Sequence, residues 1–274
     1  MHDSLRVGPG FSLASIDPGS TPGSTLEKKS GARALADGAA EFGELQERLF
    51  AESRFGSNRG VLLVLQAMDT AGKGGIVEHV LGQVSPQGVK VHSFKAPTDD
   101  EKAHDFLWRI RKELPAPGQL GVFDRSHYED VLIHRVRGFS APEVIEERYG
   151  LITAFEEEVA AAGTTIIKVM LHISPEEQKA RLAARLDDAT KHWKYKPADV
   201  DERQLWAAYM EAYEIALTRT STGTAPWYVV PADHKWYARL AVQHLLLEAL
   251  RSFTLQWPTA DYDVEAEKSR LRAS

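Results

Sequence analysis

The run Val61-Leu62-Leu63-Val64-Leu65-Gln66-Ala67-Met68-Asp69-Thr70-Ala71-Gly72-Lys73-Gly74-Gly75-Ile76 decides how this chain is read. Five consecutive apolar residues form a strand buried on both faces, a loop of small residues follows, and a helix starts at Ile76. In that order the N–H groups of the loop and the free N–H groups of the helix start make an anion cradle. Lys73 adds a mobile positive charge for terminal phosphates. The alternative is a plain glycine-rich turn between strand and helix. The pattern G-x-x-x-x-G-K-[ST] fails at both ends, because Ala67 stands at its first glycine and Gly74 where a hydroxyl would hold Mg²⁺. Asp69 lies inside the loop instead, and a carboxylate beside phosphates is repelled unless a metal or a proton lies between them. Asp69 therefore reads as a Mg²⁺ ligand or a base, the alternative being an Asp that caps its own turn.

Outward from the loop, β-branched runs at residues 60–66, 88–94, 119–123, 164–173 and 226–230 alternate with helix-period stretches, the pattern of a parallel α/β sheet. Helix starts are signposted by Thr98 with Glu101, Ser140 with Glu143, and Ser174 with Glu177. The helix from Pro142 buries Ile145, Tyr149, Ile152, Phe155 and Val159 and stops at Gly163. An amphipathic helix over residues 34–55 leads in. Leu120-Gly121-Val122-Phe123-Asp124 is a second strand ending in a carboxylate. Parallel strands deliver their carboxyl ends to one sheet edge, so Asp69 and Asp124 are placed to share a metal. Arg125 then offers a bidentate fork to a phosphoryl group. Glu129 and Asp130 either join that site or are solvated helix charges, the reading given to Asp130. His127 and His134 read as ordinary packed or surface histidines.

Lys plus Arg is 33 against 39 Asp plus Glu, a net of −6, which argues against a surface built for nucleic acid or anionic membrane. With no cysteine, thiolate nucleophiles, cysteine metal sites and disulfides drop out. No window supplies the roughly 18 apolar residues of a membrane span, and no export signal opens the chain, so a cytoplasmic protein is expected. Residues 8–38 are rich in Gly, Ser, Pro and Thr, so residues 1–38 are expected to form a flexible arm. One domain then spans 39–256, with a tail at 257–274. Lys179, Arg181, Arg185, Lys191, Lys194 and Lys196 invert the local charge against Asp187 and Asp188. This stretch reads as part of a mobile basic lid, about 175–204, that closes over polyanionic phosphate. The alternative is a solvated helix face, less so for Arg181 and Arg185, which lie four apart on one face.

With these residues in view, the chain resembles the family-2 polyphosphate kinases over roughly residues 35–255. The likeness rests on Met68 to Gly75, Ser85-Pro86-Gln87-Gly88, Ser93 to Thr98, His104 to Arg109, Phe123 to Asp130, and Ala225 to Asp233. It implies a P-loop kinase-like three-layer sandwich with a five-stranded parallel sheet and a basic helical lid. It implies that Asp69, Thr70, Ala71, Gly72, Lys73, Gly74 and Gly75 serve phosphates, that Asp69 and Asp124 serve Mg²⁺, and that Arg125 and Glu129 lie beside the transferred group and nucleotide. Lys95 looks like the family's lysine for the same phosphates, and Arg181, Arg185 and Lys191 fall where its basic lid lies. Thr70 stands where the family usually has Ala. The blocks after Lys95 lean toward the branch using both mono- and diphosphates, although Asp124 stands where that branch often has Asn. The expected reaction is Mg²⁺-dependent transfer between inorganic polyphosphate and an adenine or guanine nucleotide, by a homo-oligomer. The rivals are a nucleotide kinase with ATP as donor and a non-catalytic nucleotide-binding regulator.

Overall fold

The computed structural model describes all residues, 1–274. Five strands form one parallel sheet: β1 (Gly60–Ala67), β2 (Val89–Ser93), β3 (Leu120–Asp124), β4 (Thr164–His172) and β5 (Trp227–Pro231). Their order is β2-β3-β1-β4-β5, and each end falls within one residue of the position read from sequence. β1 is buried along its whole length at the centre, as its unbroken apolar run requires. Each fully buried Val or Leu there contributes about 1.5–3 kcal/mol relative to exposure. One face is covered by the helix Lys235–Ser252, backed by Lys28–Asp37 and Ala39–Ser53. The other carries the helix Pro142–Ala161, against which Trp206–Thr220 packs. No helix is long and apolar enough to cross a membrane.

The sheet register positions the site. Leu65 of β1 pairs with Asp124 of β3, so the carboxylate ending β3 emerges beside the loop into which β1 opens. Thr98 and Ser174 cap their helices as their spacing predicts, accepting from Glu101 N and Glu177 N at 3.2 and 3.1 Å. Ser140 does not cap. Its hydroxyl pairs with His134 Nδ1 at 2.8 Å and Arg148 Nη1 at 3.1 Å, and Pro142 opens the helix after Ala141.

Two further expectations are corrected. The stretch expected to be a flexible arm is packed: Leu5, Val7 and Leu13 are buried, and Val7 N donates to Trp227 O at 2.9 Å, covering the free edge of β5. Asp233 N to Pro18 O and Tyr237 Oη to Pro22 O hold the segment further along. Average composition missed this because three well-placed apolar side chains and an unpaired strand edge suffice to anchor it. The single leading helix is instead two, Lys28–Asp37 and Ala39–Ser53. They meet at Gly38, where a Cβ would come within 2.8 Å of Gln243 Oε1.

Candidate functional site

Two cavities open on either side of the loop that joins β1 to the helix Lys73–His79. The loop conformation is unusual for its residue types. Gly72 has φ +124°, which a side chain would strain, and Thr70 has φ +65°, a left-handed conformation costly for a β-branched residue. Lys73 opens the helix and folds back, its Nζ donating to Ala67 O at 3.1 Å. Gly74 and Gly75 complete the first helical turn, and a Cβ on Gly75 would meet Arg239 Nη2 at 3.6 Å.

The first cavity, about 570 Å³, brings Asp69, Lys95, Arg125 and Glu129 together. Arg125 follows β3 directly, also left-handed at φ +62°, with its backbone N donating to Leu65 O at 3.0 Å. Its Nη2 reaches Asp69 Oδ1 at 3.2 Å. Burial works against this guanidinium, but Glu129, Asp69 and Asp124 outweigh it and hold its pKa above the ordinary value. Burial pushes the Glu129 carboxyl up, against the pull of Arg125, Lys73 and Gln66. With the Gln66 amide assigned the orientation that satisfies both its ends, it donates to Glu129 Oε1 at 3.0 Å and accepts from Ser126 Oγ at 3.0 Å. Phe94, Pro97, Leu132, Ile133 and Phe139 supply apolar wall, and Tyr209 and Tyr213 reach in from the 206–220 helix.

Asp124 lines neither cavity but ends β3 beside Leu65, with Oδ2 accepting from Ser93 Oγ at 3.3 Å and Oδ1 buried without any partner. A buried orphan carboxylate oxygen beside an anion cradle fits a cation-binding role. No three His, Asp or Glu side chains converge as a complete metal cage.

The second cavity, about 340 Å³, is lined by Thr70, Ala71, Gly72 and Gly75 and by Arg181, Arg185 and Lys191. Arg181, read from its spacing as a lid residue that meets phosphate, turns its guanidinium onto backbone carbonyls of the loop and of the segment after β5. It is buried, with Nε on Glu177 Oε1 at 2.7 Å, Nη1 on Thr70 O and Ala71 O at 3.0 and 2.9 Å, and Nη2 on Ala232 O and Asp233 O at 2.6 and 2.9 Å. A loop whose backbone N–H groups point at a ligand turns its carbonyls the other way, and Arg181 satisfies those carbonyls. Arg185 is half-buried, donating to Lys194 O at 2.9 Å, and Lys191 pairs with Asp188 at 2.6 Å.

Asp130 is a second correction, since it is buried rather than solvated, 3.5 Å from His134 Nε2 and 3.8 Å from Arg148 Nη1. Sequence reading also missed Lys235 and Arg239, which face the second cavity. Burial and the neighbouring Arg181 charge lower the pKa of Lys235, and burial, followed by Arg181, lowers that of Arg239 despite Glu78. Their signal was topological: the helix after β5 starts at the same sheet edge as the loop. Arg109 was quoted within a motif but given no role. It lines the first cavity and donates to Lys95 O at 2.8 Å.

The sequence matches the polyphosphate kinase 2 family over residues 25–257. It is 45% identical over 248 residues to an AMP/ADP-polyphosphate phosphotransferase of Meiothermus ruber, covering 90% of this chain and 91% of that one. It is 43% identical to an ADP-polyphosphate phosphotransferase of Rhodopseudomonas palustris, covering 78% and 77% of the two chains. Its fold is similar to the crystal structure of polyphosphate kinase 2 from Arthrobacter aurescens TC1, with a TM-score of 0.98 and 59% identity over 100% of this chain and 96% of the other.

Proposed function

This chain belongs to the polyphosphate kinase 2 family, and from that premise we propose that it transfers a phosphoryl group between inorganic polyphosphate and a nucleoside mono- or diphosphate, with both AMP and ADP as acceptors. The observation that carries this reading is the pair of unlike cavities meeting at one phosphate loop. The basic cavity suits the end of a polyanionic chain, which needs cations and no shape-specific pocket. The first cavity has the size of a small-molecule site and an apolar wall beside its charges, suited to a nucleotide. That wall favours stacking over the reading of a base edge, so guanine nucleotides enter as acceptors as well.

An acceptor phosphate oxygen attacks the terminal phosphorus of the polyphosphate. The P–O bond to the next phosphate breaks, and the donor leaves one unit shorter. Arg125, held by Asp69 and Glu129, faces the transferring group, while Lys73 releases Ala67 O to follow the charge. Asp69 and Asp124 would hold Mg²⁺, which when bound neutralises charge on the reacting phosphates. Little covalent chemistry falls to the protein, so positioning and charge supply the rate.

The test is the purified chain with Mg²⁺, long-chain polyphosphate and AMP or ADP, without added ATP. The reading requires ADP and then ATP to form from AMP. Transfer from ATP alone would make the chain a nucleotide kinase, and nucleotide binding without turnover on any donor would make it a regulator.

A further inference from the structure

Behind the segment that carries Arg125 lies a buried polar cluster used by no step above. Lys168 of β4 is fully buried, its Nζ donating to Glu156 Oε2 at 2.5 Å, Tyr128 Oη at 2.9 Å and Thr220 O at 2.7 Å. Tyr128 Oη lies 2.8 Å from Glu156 Oε1 and 2.9 Å from Thr220 Oγ1. His127 Nε2 lies 3.3 Å from the same Glu156 oxygen. The cluster joins the turn at residues 127–130 to both helices of that face and to the sheet. Thr220 ends the helix from which Tyr209 and Tyr213 reach the first cavity.

A buried Lys–Glu pair is poor evidence of stability, because well-packed apolar residues in its place are often as stable or more so. Its placement is more telling. Ser126 and Tyr128 follow Arg125 directly, and Ser126 Oγ accepts from Tyr128 N at 3.2 Å. Arg125 is therefore held by its own N–H to Leu65 O while its neighbour Ser126 is tied to Tyr128, and its left-handed backbone persists only under such restraint.

We propose that Lys168 and Glu156 are positioning residues for the reaction, which hold Tyr128 and thereby keep Arg125 left-handed, its guanidinium facing Asp69 and Glu129 before substrate arrives. The inference rests on the transfer reaction proposed above. Lys168→Met takes the ammonium partner from the buried Glu156 Oε2 and lowers Tm. Adding Glu156→Leu removes the buried carboxylate and restores much of that Tm. In the double variant kcat nevertheless stays down by roughly 10- to 100-fold, as a small misplacement near the reacting atoms produces. KM for polyphosphate, bound on the other side of the loop, moves by no more than about twofold. Tyr128→Phe, lacking one hydroxyl, shifts kcat in the same direction by less and carries the test if the double variant fails to fold. Amide exchange over residues 125–130 in the ligand-free protein gives a readout independent of turnover, and it is faster in both variants. Unchanged exchange there overturns the positioning role whatever the reaction. Wild-type kcat in a refolded double variant, or in Tyr128→Phe, overturns it as well. Faster exchange in a chain that transfers nothing from polyphosphate would refute the reaction alone.

Discussion

The two cavities that share the phosphate loop differ in how their charges are matched. The first is lined by four acids, Asp69, Glu129, Asp130 and Glu202, and four bases, Lys95, Lys102, Arg109 and Arg125. The second has six bases, Arg181, Arg185, Lys191, Lys194, Lys235 and Arg239, against Glu78 alone. Arg181, Arg185 and Lys191 reach Glu177, Asp199 and Asp188, leaving Lys194, Lys235 and Arg239 without an ion pair. A matched cavity is organised before its ligand arrives and gains affinity from fit. An unmatched one leaves its cations in need of an anion and gains affinity from charge, which salt screens within a Debye length of about 8 Å at physiological ionic strength.

The change that would break this division most deeply is Lys73→Ala, because Lys73 serves the loop and neither cavity alone. Its charge meets the phosphates more strongly in the transition state than in the ground state, so turnover falls roughly 100- to 1,000-fold with smaller changes in either KM. Near-normal turnover in a variant with unchanged circular dichroism would remove the loop from the mechanism. Next come Asp69→Asn and Asp124→Asn. Each raises the Mg²⁺ concentration needed and lowers kcat by about 100-fold, and the double variant is little worse than the worse single, as for residues acting as a unit. Additive losses in a Mg²⁺ titration would separate the two carboxylates.

The same contrast explains what was legible in the sequence. The strand, loop, Lys73 and Asp124 follow from local pattern, because a buried central strand and a phosphate loop leave little freedom in residue type. The matched cavity was half visible: Asp69, Arg125 and Glu129 stood in recognisable runs, while Asp130 looked solvated. Only the fold brings Arg148 and His134 to cover Asp130. The basic cavity was the least legible, since a run of cations looks alike whether it faces ligand or backbone. Arg181 turned out to brace the loop, and its place is shared by Lys235 and Arg239 from a helix that begins more than fifty residues later. The packed N-terminal segment was hidden for a related reason, because the open edge of β5 that holds it is a property of strand order.

Those late arrivals supply a sharper test of the unmatched side. Lys235→Ala with Arg239→Ala raises KM for long-chain polyphosphate by about tenfold and flattens its dependence on salt, as lost charge contacts do, while KM for ADP moves little. Equal effects on both substrates would show that the cavities are not separate in function.

The smallest effect belongs to Glu129, which tests whether matching in the first cavity is complete. Burial holds its carboxyl above the ordinary Glu value in spite of Arg125 and Lys73, so the ionised form costs the folded protein something even there. A carboxyl whose value rises on folding keeps protons that the unfolded chain has released. Its contribution to stability is therefore full below the ordinary Glu range and is lost as pH rises through the raised value. Glu129→Gln removes that loss while keeping shape and a polar contact for Gln66. The variant's Tm should exceed that of the parent at neutral pH, and the gap should close as pH falls to about 4, the range in which an unperturbed Glu takes up its proton. KM for ADP should rise in the same variant if the carboxylate also orders Arg125 for the acceptor, whereas KM for polyphosphate should not. A Tm gap that stays constant across that range would place the strain elsewhere, in the left-handed backbone of Arg125 itself.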